Sequence, residues 1–276
     1  MTYRKLFHNL RNKAKASDKE ESAVKLLFLD TAKFTYNDLI LNYSQEVPHH
    51  VYKTIMKRFA LYIDQNIPIQ YILGYSYFYG LKIYVDDSVL IPRPETEVLV
   101  EKILEYYDCN SKPKILDLGC GSGAIALALK NNIPDADITA VDVSSSAIKK
   151  AKANAAIYNL QINFIISNLF AGITGKFDII VSNPPYLIDK NEAELIVCDN
   201  EPSLALYAPE KGLYFYERIL SDAPSFINIP GMIFFEIPAN KDTELLKCLN
   251  KFGLDNKYII EKDLNGQNRI LIIKYD

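Results

Sequence analysis

Beyond His50 this 276-residue chain contains no histidine; His8, His49 and His50 are the only three. A catalytic domain further along the chain therefore lacks the commonest general base and metal ligand. That argues against Ser-His hydrolysis, imidazole acid-base chemistry or a histidine metal site there. Cysteine is equally thin: Cys109, Cys120, Cys198 and Cys248 stand without paired spacing. Neither a disulfide framework nor a zinc knuckle is indicated, and reduced thiols are expected. No apolar run reaches bilayer length, and Met1-Thr2-Tyr3-Arg4-Lys5 opens no secretory apolar core. A cytoplasmic location with no membrane partner is the expectation. Internal repeats and low-complexity linkers are absent too.

A strong basic balance is also missing. Residues 1–75 carry a net charge of +4, and the remainder carries −7. A mildly basic front and an acidic rear do not make a nucleic-acid-binding stripe, so no stable nucleic-acid binding is expected. What the chain does have is length and ordinary globular composition, 49% hydrophobic and 24% charged. That suffices for a large catalytic domain and a small accessory one.

The accessory part comes first. Leu6, Leu10 and Ala14 share a helical face. Ser17 with Glu20 reads as a capping box ahead of Ala23, Leu26 and Leu27, and Pro48 opens a segment with Ile55, Phe59 and Tyr62 in helical register. A helical bundle over residues 1–70 is expected, without a catalytic constellation. Tyr71, Tyr75, Tyr77, Phe78, Tyr79 and Tyr84 then crowd around Gly74 and Gly80, which suggests a β-hairpin linker over 71–92 acting as a hinge. The catalytic domain is expected over 93–276. It enters through Ile91-Pro92-Arg93-Pro94-Glu95-Thr96-Glu97, where Glu95 or Thr96 could begin a helix carrying Val98, Leu99, Ile103 and Leu104. Two carboxylates and a threonine at that start could line the pocket of a cationic cofactor.

Lys114–Leu118 followed by Gly119, Cys120, Gly121, Ser122 and Gly123 reads as a strand, a glycine-rich turn and a helix start. Glycines allow the tight turn and a close ligand approach, and the helix offers its first N–H groups. A nucleotide moiety is implied. Asp142 ends the next strand, nineteen residues beyond Gly123, where a carboxylate can accept both ribose hydroxyls. Ala124 makes the loop fit the G-x-G-x-x-A of nicotinamide-binding domains as well. Asp117, two residues ahead of the first glycine, and the third alternate glycine favour S-adenosylmethionine, whose ammonium group Asp117 could meet. A third strand, Asn163–Ile166, leads to Asn168 and Leu169, positioned for an adenine contact.

The chemistry points to Asn183-Pro184-Pro185-Tyr186, after the apolar run Phe177–Val181. That run suits a strand buried on both faces of a parallel sheet, so the tetrapeptide lies at a strand's carboxyl end, where open α/β sheets bind ligands. The prolines remove two donors and hold their neighbours extended, leaving carbonyls unpartnered. Asn183 adds a side-chain oxygen. Such acceptors suit an NH2 group, with the Tyr186 ring against a planar amide or base. Further strands are expected at Gly231–Glu236, Tyr258–Ile260 and Ile270–Ile273, the last two as an antiparallel hairpin that leaves one reversed strand in a mostly parallel sheet.

With Asp117 to Gly123, Asp142 and Asn183 to Tyr186 in this order, the chain resembles a class I S-adenosylmethionine-dependent methyltransferase of the amino-methylating kind. Together with Ile91–Glu97, Gln70-Tyr71-Ile72-Leu73-Gly74 and Glu201-Pro202 it resembles the HemK/PrmC family, the peptide chain release factor glutamine methyltransferases. The resemblance spans residues 68–276, with a helical front domain as the family has. It implies a Rossmann-like α/β fold with a mostly parallel seven-stranded sheet, a small N-terminal helical bundle for substrate recognition, and a connecting hairpin. It implies methyl transfer from S-adenosylmethionine, leaving S-adenosylhomocysteine and needing no metal, to the side-chain amide nitrogen of the Gly-Gly-Gln glutamine of class 1 release factors. Gly119 to Gly123 would hold the methionine part, Asp142 the ribose, Asn168 and Leu169 the adenine, and Asn183, Pro184, Pro185 and Tyr186 the substrate amide during catalysis, with Asn183 also beside the cofactor. Three positions depart from the family pattern: Asn168 replaces a usual aspartate, Leu169 a frequent aromatic, and Glu236-Ile237-Pro238-Ala239-Asn240 a Glu-Ile-Gly run. The alternatives are an adenine or cytosine exocyclic-amine methyltransferase acting on nucleic acid, a nicotinamide-dependent reductase and a catalytically silent nucleotide-binding adaptor.

Overall fold

A computed structural model describes residues 1–107, 112–239, 241–263 and 265–276; Cys109 and Asn240 lie outside the described residues. The chain divides into two compact units, Met1–Tyr75 and Ser76–Asp276.

The first unit is helical: α1 (Tyr3–Ala16), α2 (Glu21–Ala32), α3 (Tyr36–Leu41), α4 (His49–Asp64) and α5 (Ile69–Leu73). α1 buries Tyr3, Leu6, Phe7, Leu10 and Ala14, the i, i+3, i+4 face of an amphipathic helix. α4 buries Val51, Ile55, Phe59 and Tyr62 in the same way. Each large aliphatic or phenyl side chain so buried contributes roughly 1.5–3 kcal/mol. The expected Ser17/Glu20 capping box does not form. Ser17 ends α1 instead, and Glu20 precedes α2 without a side-chain cap bond. The box belongs to Thr35 and Asp38 at the start of α3, where each side chain takes the other residue's backbone N–H.

In the second unit the hairpin pairs β1 (Tyr75–Phe78) with β2 (Leu81–Tyr84). Tyr79 and Gly80 both have positive φ, 47° and 78°, the twist that a two-residue hairpin turn requires. The hairpin is tied to its own unit by hydrogen bonds. Lys82 N–H donates to the Tyr158 hydroxyl at 2.7 Å, and Tyr84 N–H donates to Asn154 Oδ1 at 2.9 Å.

A seven-stranded sheet follows: β3 (Lys114–Leu118), β4 (Asp137–Asp142), β5 (Asn163–Ile166), β6 (Phe177–Ser182), β7 (Ile227–Glu236), β8 (Tyr258–Lys262) and β9 (Asn268–Tyr275), in the order β5-β4-β3-β6-β7-β9-β8. Only β9 runs against its neighbours, antiparallel to both β7 and β8, as the closing hairpin led one to expect. β7 begins at Ile227, earlier than its apolar run suggests, and its register with β6 shifts between Phe177 and Ile179. Pro230 lies in this stretch and has no N–H for the ladder, so regular pairing resumes only at Met232. The helices of this unit are α6 (Pro94–Tyr106), α7 (Ala124–Asn132), α8 (Ser145–Ile157), α9 (Leu195–Asn200), α10 (Ser203–Leu206), α11 (Tyr214–Asp222) and α12 (Asp242–Lys251). One core cluster joins Leu116, Val141, Ile180, Phe235 and Leu271 of the strands to Tyr216 and Leu220 of α11 and Leu249 of α12.

α6 starts at Pro94, with Arg93 as its cap residue, not at Glu95 or Thr96. The reason is general: a proline at the first helical position loses no hydrogen bond and already has helical φ. Thr96 is therefore inside the first turn, and its hydroxyl is free for another use.

Candidate active site

β3 and β6 lie side by side at the point where the strand order reverses, since β3 leads through α7 to β4 on one side while β6 and β7 lie on the other. At such a switch the loops leaving adjacent carboxyl ends diverge and open a crevice. A cleft there is lined by Gly119, Gly121, Asp142, Asn168, Leu169, Asn183, Pro184 and Pro185, with Ser88–Leu90, Leu204, Ala205 and Phe215 also in its wall. Seven separated sequence stretches thus meet in one cleft.

The glycine loop divides its residues between two jobs. Gly119 and Gly121 have φ of 79° and 52°, and nothing stands within 4 Å of where their Cβ atoms would be. They are the bare floor of the cleft. Gly123 turns away: it caps α7, and a Cβ there would meet Leu127 Cδ1 at 2.7 Å and Ala151 Cβ at 3.0 Å. Its glycine is required by helix-helix packing. Cys120 and Ser122 are likewise buried and do not line the cleft; burial pushes the Cys120 thiol well above its ordinary range, so it is no nucleophile. The loop is held by Gly119 and Cys120 N–H groups, each donating to the Val141 carbonyl at 2.9 Å. Asn154 adds a second tether, its Nδ2 donating to the carbonyls of Ser122 and Tyr84. Sequence reasoning passed over Asn154, although an asparagine on the Ala147, Ala151, Ala155 face of α8 was a readable signal of a buried polar task.

Asp142, at the tip of β4, accepts from the Gly121 N–H through Oδ2 and from the Ser144 N–H through Oδ1, each at 2.9 Å. Burial raises its pKa, and those backbone donors offset part of the rise. Each oxygen keeps a lone pair for a ligand hydroxyl. Asp117 is the opposite case. It is fully buried in β3, and neither carboxylate oxygen has a hydrogen-bond partner among the described residues. Burial drives its pKa up to about 7; the Ala126 N–H, without meeting hydrogen-bond geometry, pulls it back a little and nearby Asp142 pushes it further up.

Asn168 and Leu169 stand across the cleft. Asn168 is exposed, and its Oδ1 accepts from Arg218 at 3.2 Å. Leu169 has φ of 52°, a left-handed conformation that costs a non-glycine residue on the order of 1 kcal/mol. Ser167 holds that turn, donating to the Leu169 carbonyl and accepting the Gly172 N–H, both at 2.9 Å. The strained turn thus stands, braced by Ser167, in the wall of the cleft.

The tetrapeptide after β6 is split. Asn183, Pro184 and Pro185 line the cleft; Tyr186 lies instead in an adjoining recess with Lys241 and Arg269. Its carbonyl accepts from Lys241 Nζ at 2.8 Å, and its hydroxyl pKa is pushed up to about 12, chiefly by burial and then by Glu236. It stays a phenol at any physiological pH. Gly212 permits this arrangement, since a Cβ there would fall 2.2 Å from the Tyr186 carbonyl oxygen. No described donor reaches the Pro184 carbonyl. Asn183 Nδ2 donates to Thr96 Oγ1 at 3.2 Å, which leaves Oδ1 as its open atom. Thr96 in turn donates to Glu236 Oε2 at 2.6 Å. Glu95, Thr96 and Glu97 do not line the cleft; Glu97 accepts the Tyr79 N–H at 2.9 Å.

Glu201 ties two distant segments together. Its buried carboxylate accepts the Ile91 N–H and the Arg93 guanidinium, so the two motif fragments Ile91–Glu97 and Glu201-Pro202 are one structural unit. Nothing in the sequence said they would touch, 108 residues apart.

A family model described as "Methyltransferase small domain" matches residues 94–199. The release factor glutamine methyltransferase of Streptococcus pneumoniae is 38% identical over 99% of this chain and 98% of its own length. That of Flavobacterium psychrophilum is 40% identical over 78% of both chains. Among solved structures, a methyltransferase from Pyrococcus furiosus aligns with a TM-score of 0.52 at 19% identity, over 71% of this chain and 89% of the other. The Thermus thermophilus 16S rRNA N2 G1207 methyltransferase, solved with AdoMet and guanosine, aligns with a TM-score of 0.55 at 19% identity, over 73% and 50%. At that identity the structures bear on the fold alone, which is the class I methyltransferase fold. The curated relatives decide the family: the chain belongs to the release factor glutamine methyltransferases.

Proposed function

We propose that this enzyme transfers the methyl group of S-adenosylmethionine to the side-chain amide nitrogen of the glutamine in the Gly-Gly-Gln motif of class 1 peptide chain release factors. The observation that carries this reading is the pair of unengaged acceptors at the cleft, Asn183 Oδ1 and the Pro184 carbonyl. Two acceptors side by side take the two hydrogens of one NH2 group.

The chain fits the cofactor. A bare glycine floor at Gly119 and Gly121 accepts close contact, and the unpartnered carboxylate of Asp117, buried beneath that floor and outside the cleft lining, favours a cation nearby, which the methionine ammonium is. Asp142 takes the ribose hydroxyls, and Asn168 with Leu169 the adenine. Gly123 and Ser122 serve by holding the loop.

An amide nitrogen is a weak nucleophile, because its lone pair is delocalised into the carbonyl. Gripping both N–H bonds fixes the nitrogen and aims that lone pair, so positioning does what a strong base does elsewhere. S-adenosylmethionine, held over Gly119 and Gly121 with its ribose at Asp142, would supply a sulfonium-activated methyl carbon and keep the S–C electron pair as a neutral thioether. One amide proton then passes to water. Tyr186, kept protonated, is no base, and its carbonyl, held by Lys241 Nζ, anchors the far end of the acceptor corner. The helical unit, with its basic balance and the exposed Ile40 and Leu41 on α3, recognises the body of the release factor. The acidic rear favours a protein substrate over nucleic acid.

Labelled-methyl transfer offered a purified release factor and DNA in parallel, followed by peptide mapping, tests the reading. Label on the Gly-Gly-Gln glutamine supports it; label on DNA alone sinks it. Within the same scheme, Asp142→Ala loses a charged acceptor worth about 1.5–3 kcal/mol and weakens cofactor binding about 10- to 100-fold. Unchanged affinity by calorimetry refutes the ribose assignment.

A further inference from the structure

Asn183 can act as an acceptor only if its amide is turned one way, since a half-turn would present two donors to a substrate that itself brings donors. Nothing in Asn183 itself fixes that choice. The surroundings do. Thr96 is buried in the first turn of α6, and Glu236 is buried at the carboxyl end of β7, one step past the Ser182–Phe235 pairing that brings β7 alongside β6. A threonine hydroxyl has a single hydrogen. An ionised carboxylate has none and can only accept. With that hydrogen given to Glu236 Oε2 at 2.6 Å, Thr96 Oγ1 is left as an acceptor, and the atom of Asn183 facing it at 3.2 Å must be the Nδ2 donor. Oδ1 is thereby sent to the cleft.

We propose that Glu236 and Thr96 are positioning residues that set the direction of hydrogen bonding at Asn183 and so make it an acceptor toward the substrate NH2 group. While Glu236 is ionised the relay runs one way, because its far end then has no proton to give. It is held on each side: the Tyr216 hydroxyl of α11 donates to the Glu236 carbonyl at 2.7 Å, and Ser182 Oγ, just before Asn183, donates to the Leu118 carbonyl at 2.7 Å. Burial pushes the Glu236 carboxyl up to about 7 and Glu95 adds to the rise, while the Thr96 hydroxyl, Arg269 of β9 and Arg93 favour the ionised form, so the relay is set at and above about pH 7. Neither Thr96 nor Glu236 lines the cleft, so neither touches substrate. The inference rests on the proposed grip on an NH2 group, and it holds for any amide or amine substrate.

The test compares Thr96→Val, Thr96→Ser and Glu236→Gln with the wild type in steady-state methyl transfer, with cofactor affinity measured alongside. Valine keeps the shape of threonine but removes the acceptor for Nδ2. An unsatisfied buried donor is penalised enough to turn the amide around, so kcat falls about 10- to 100-fold. The Michaelis constant for the protein substrate and the cofactor dissociation constant stay within about threefold, because both ligands are held by other contacts. Serine restores the hydroxyl and returns kcat to within about threefold of wild type. Glutamine can offer N–H to Thr96 and reverse the relay, so Glu236→Gln lowers kcat at least about tenfold with cofactor affinity intact. Full kcat in Thr96→Val, an equal loss in Thr96→Ser, or a loss confined to the Michaelis constant overturns the proposal. If Thr96→Val fails to bind cofactor, Glu236→Gln alone decides. A wild-type enzyme that labels a nucleic-acid amine instead would refute the release-factor reading, while the same ratios, measured on that amine, would still report on the relay.

Discussion

Replacing Asn183 by alanine is expected to reduce methyl transfer at least about 10³-fold, a loss of about 4 kcal/mol of transition-state stabilisation. Two effects add. One of the two acceptors that grip the NH2 group disappears, and the nitrogen can then rotate about the remaining bond, so the lone pair is no longer aimed. Cofactor affinity should stay within about tenfold, because the carboxylates and the glycine floor are separate from the side chain removed. Single-turnover rates beside calorimetric cofactor binding check both halves. Equal loss of binding and turnover would make Asn183 a structural element of the cleft and nothing more. A conservative Asn183→Gln change is no rescue, since the extra methylene displaces Oδ1 from its place beside the Pro184 carbonyl.

The second large effect belongs to Asp117. Its folded-state pKa of about 7 lies above the ordinary carboxylate value of 3.8, raised first by burial. In the window between those values the folded chain holds a proton that the unfolded chain has released. Stability attributable to this group is therefore full below about pH 4 and is lost as pH rises toward and through 7, by an amount on the order of 4 kcal/mol at most. A cofactor ammonium reverses the balance: it favours the ionised form, so cofactor binding strengthens as pH rises through about 7 and weakens below it. Asp117→Asn removes the charge and keeps the shape. The ligand-free variant should melt several degrees above wild type at pH 8, with little difference at pH 4.5. Its cofactor affinity at pH 8 should fall about 10-fold, through loss of a buried negative charge near the ammonium rather than of a direct contact. A variant that binds cofactor as tightly as wild type at pH 8 would remove Asp117 from the binding site. One that is no more stable there would contradict the burial cost.

These two residues show what kind of information each level carries. Asp117 and Asn183 were both legible because each departs from the chemistry of its neighbours: a carboxylate inside Ile115-Leu116-Asp117-Leu118, and an amide between an apolar strand and two prolines. Local sequence also placed the seven strands, whose β-branched runs admit little else, and the reversed β9, which follows from the short β8–β9 connection. It failed where one residue type can serve two local ends. Ser17 could cap a helix or end one, and the preceding helix claimed it. Thr96 could begin α6, but Pro94 is a better first residue and left the hydroxyl unused at the helix start. The glycine loop was read as uniform because spacing alone does not tell Gly121, which faces open space, from Gly123, which faces Ala151.

The amino-acid sequence by itself determined the order of strands and helices, the nucleotide-type loop and the acceptor corner, because each is a property of residues adjacent in the chain. Only the tertiary structure decided that Glu236, Thr96 and Asn183 form one hydrogen-bond chain, and that Glu201 joins Ile91 and Arg93. Those contacts span from 87 to 140 residues and exist because parallel strands bring their carboxyl ends to a common edge. A hydrogen bond needs partners within about 3 Å of each other, and no spacing along a chain supplies that distance until the sheet has assembled.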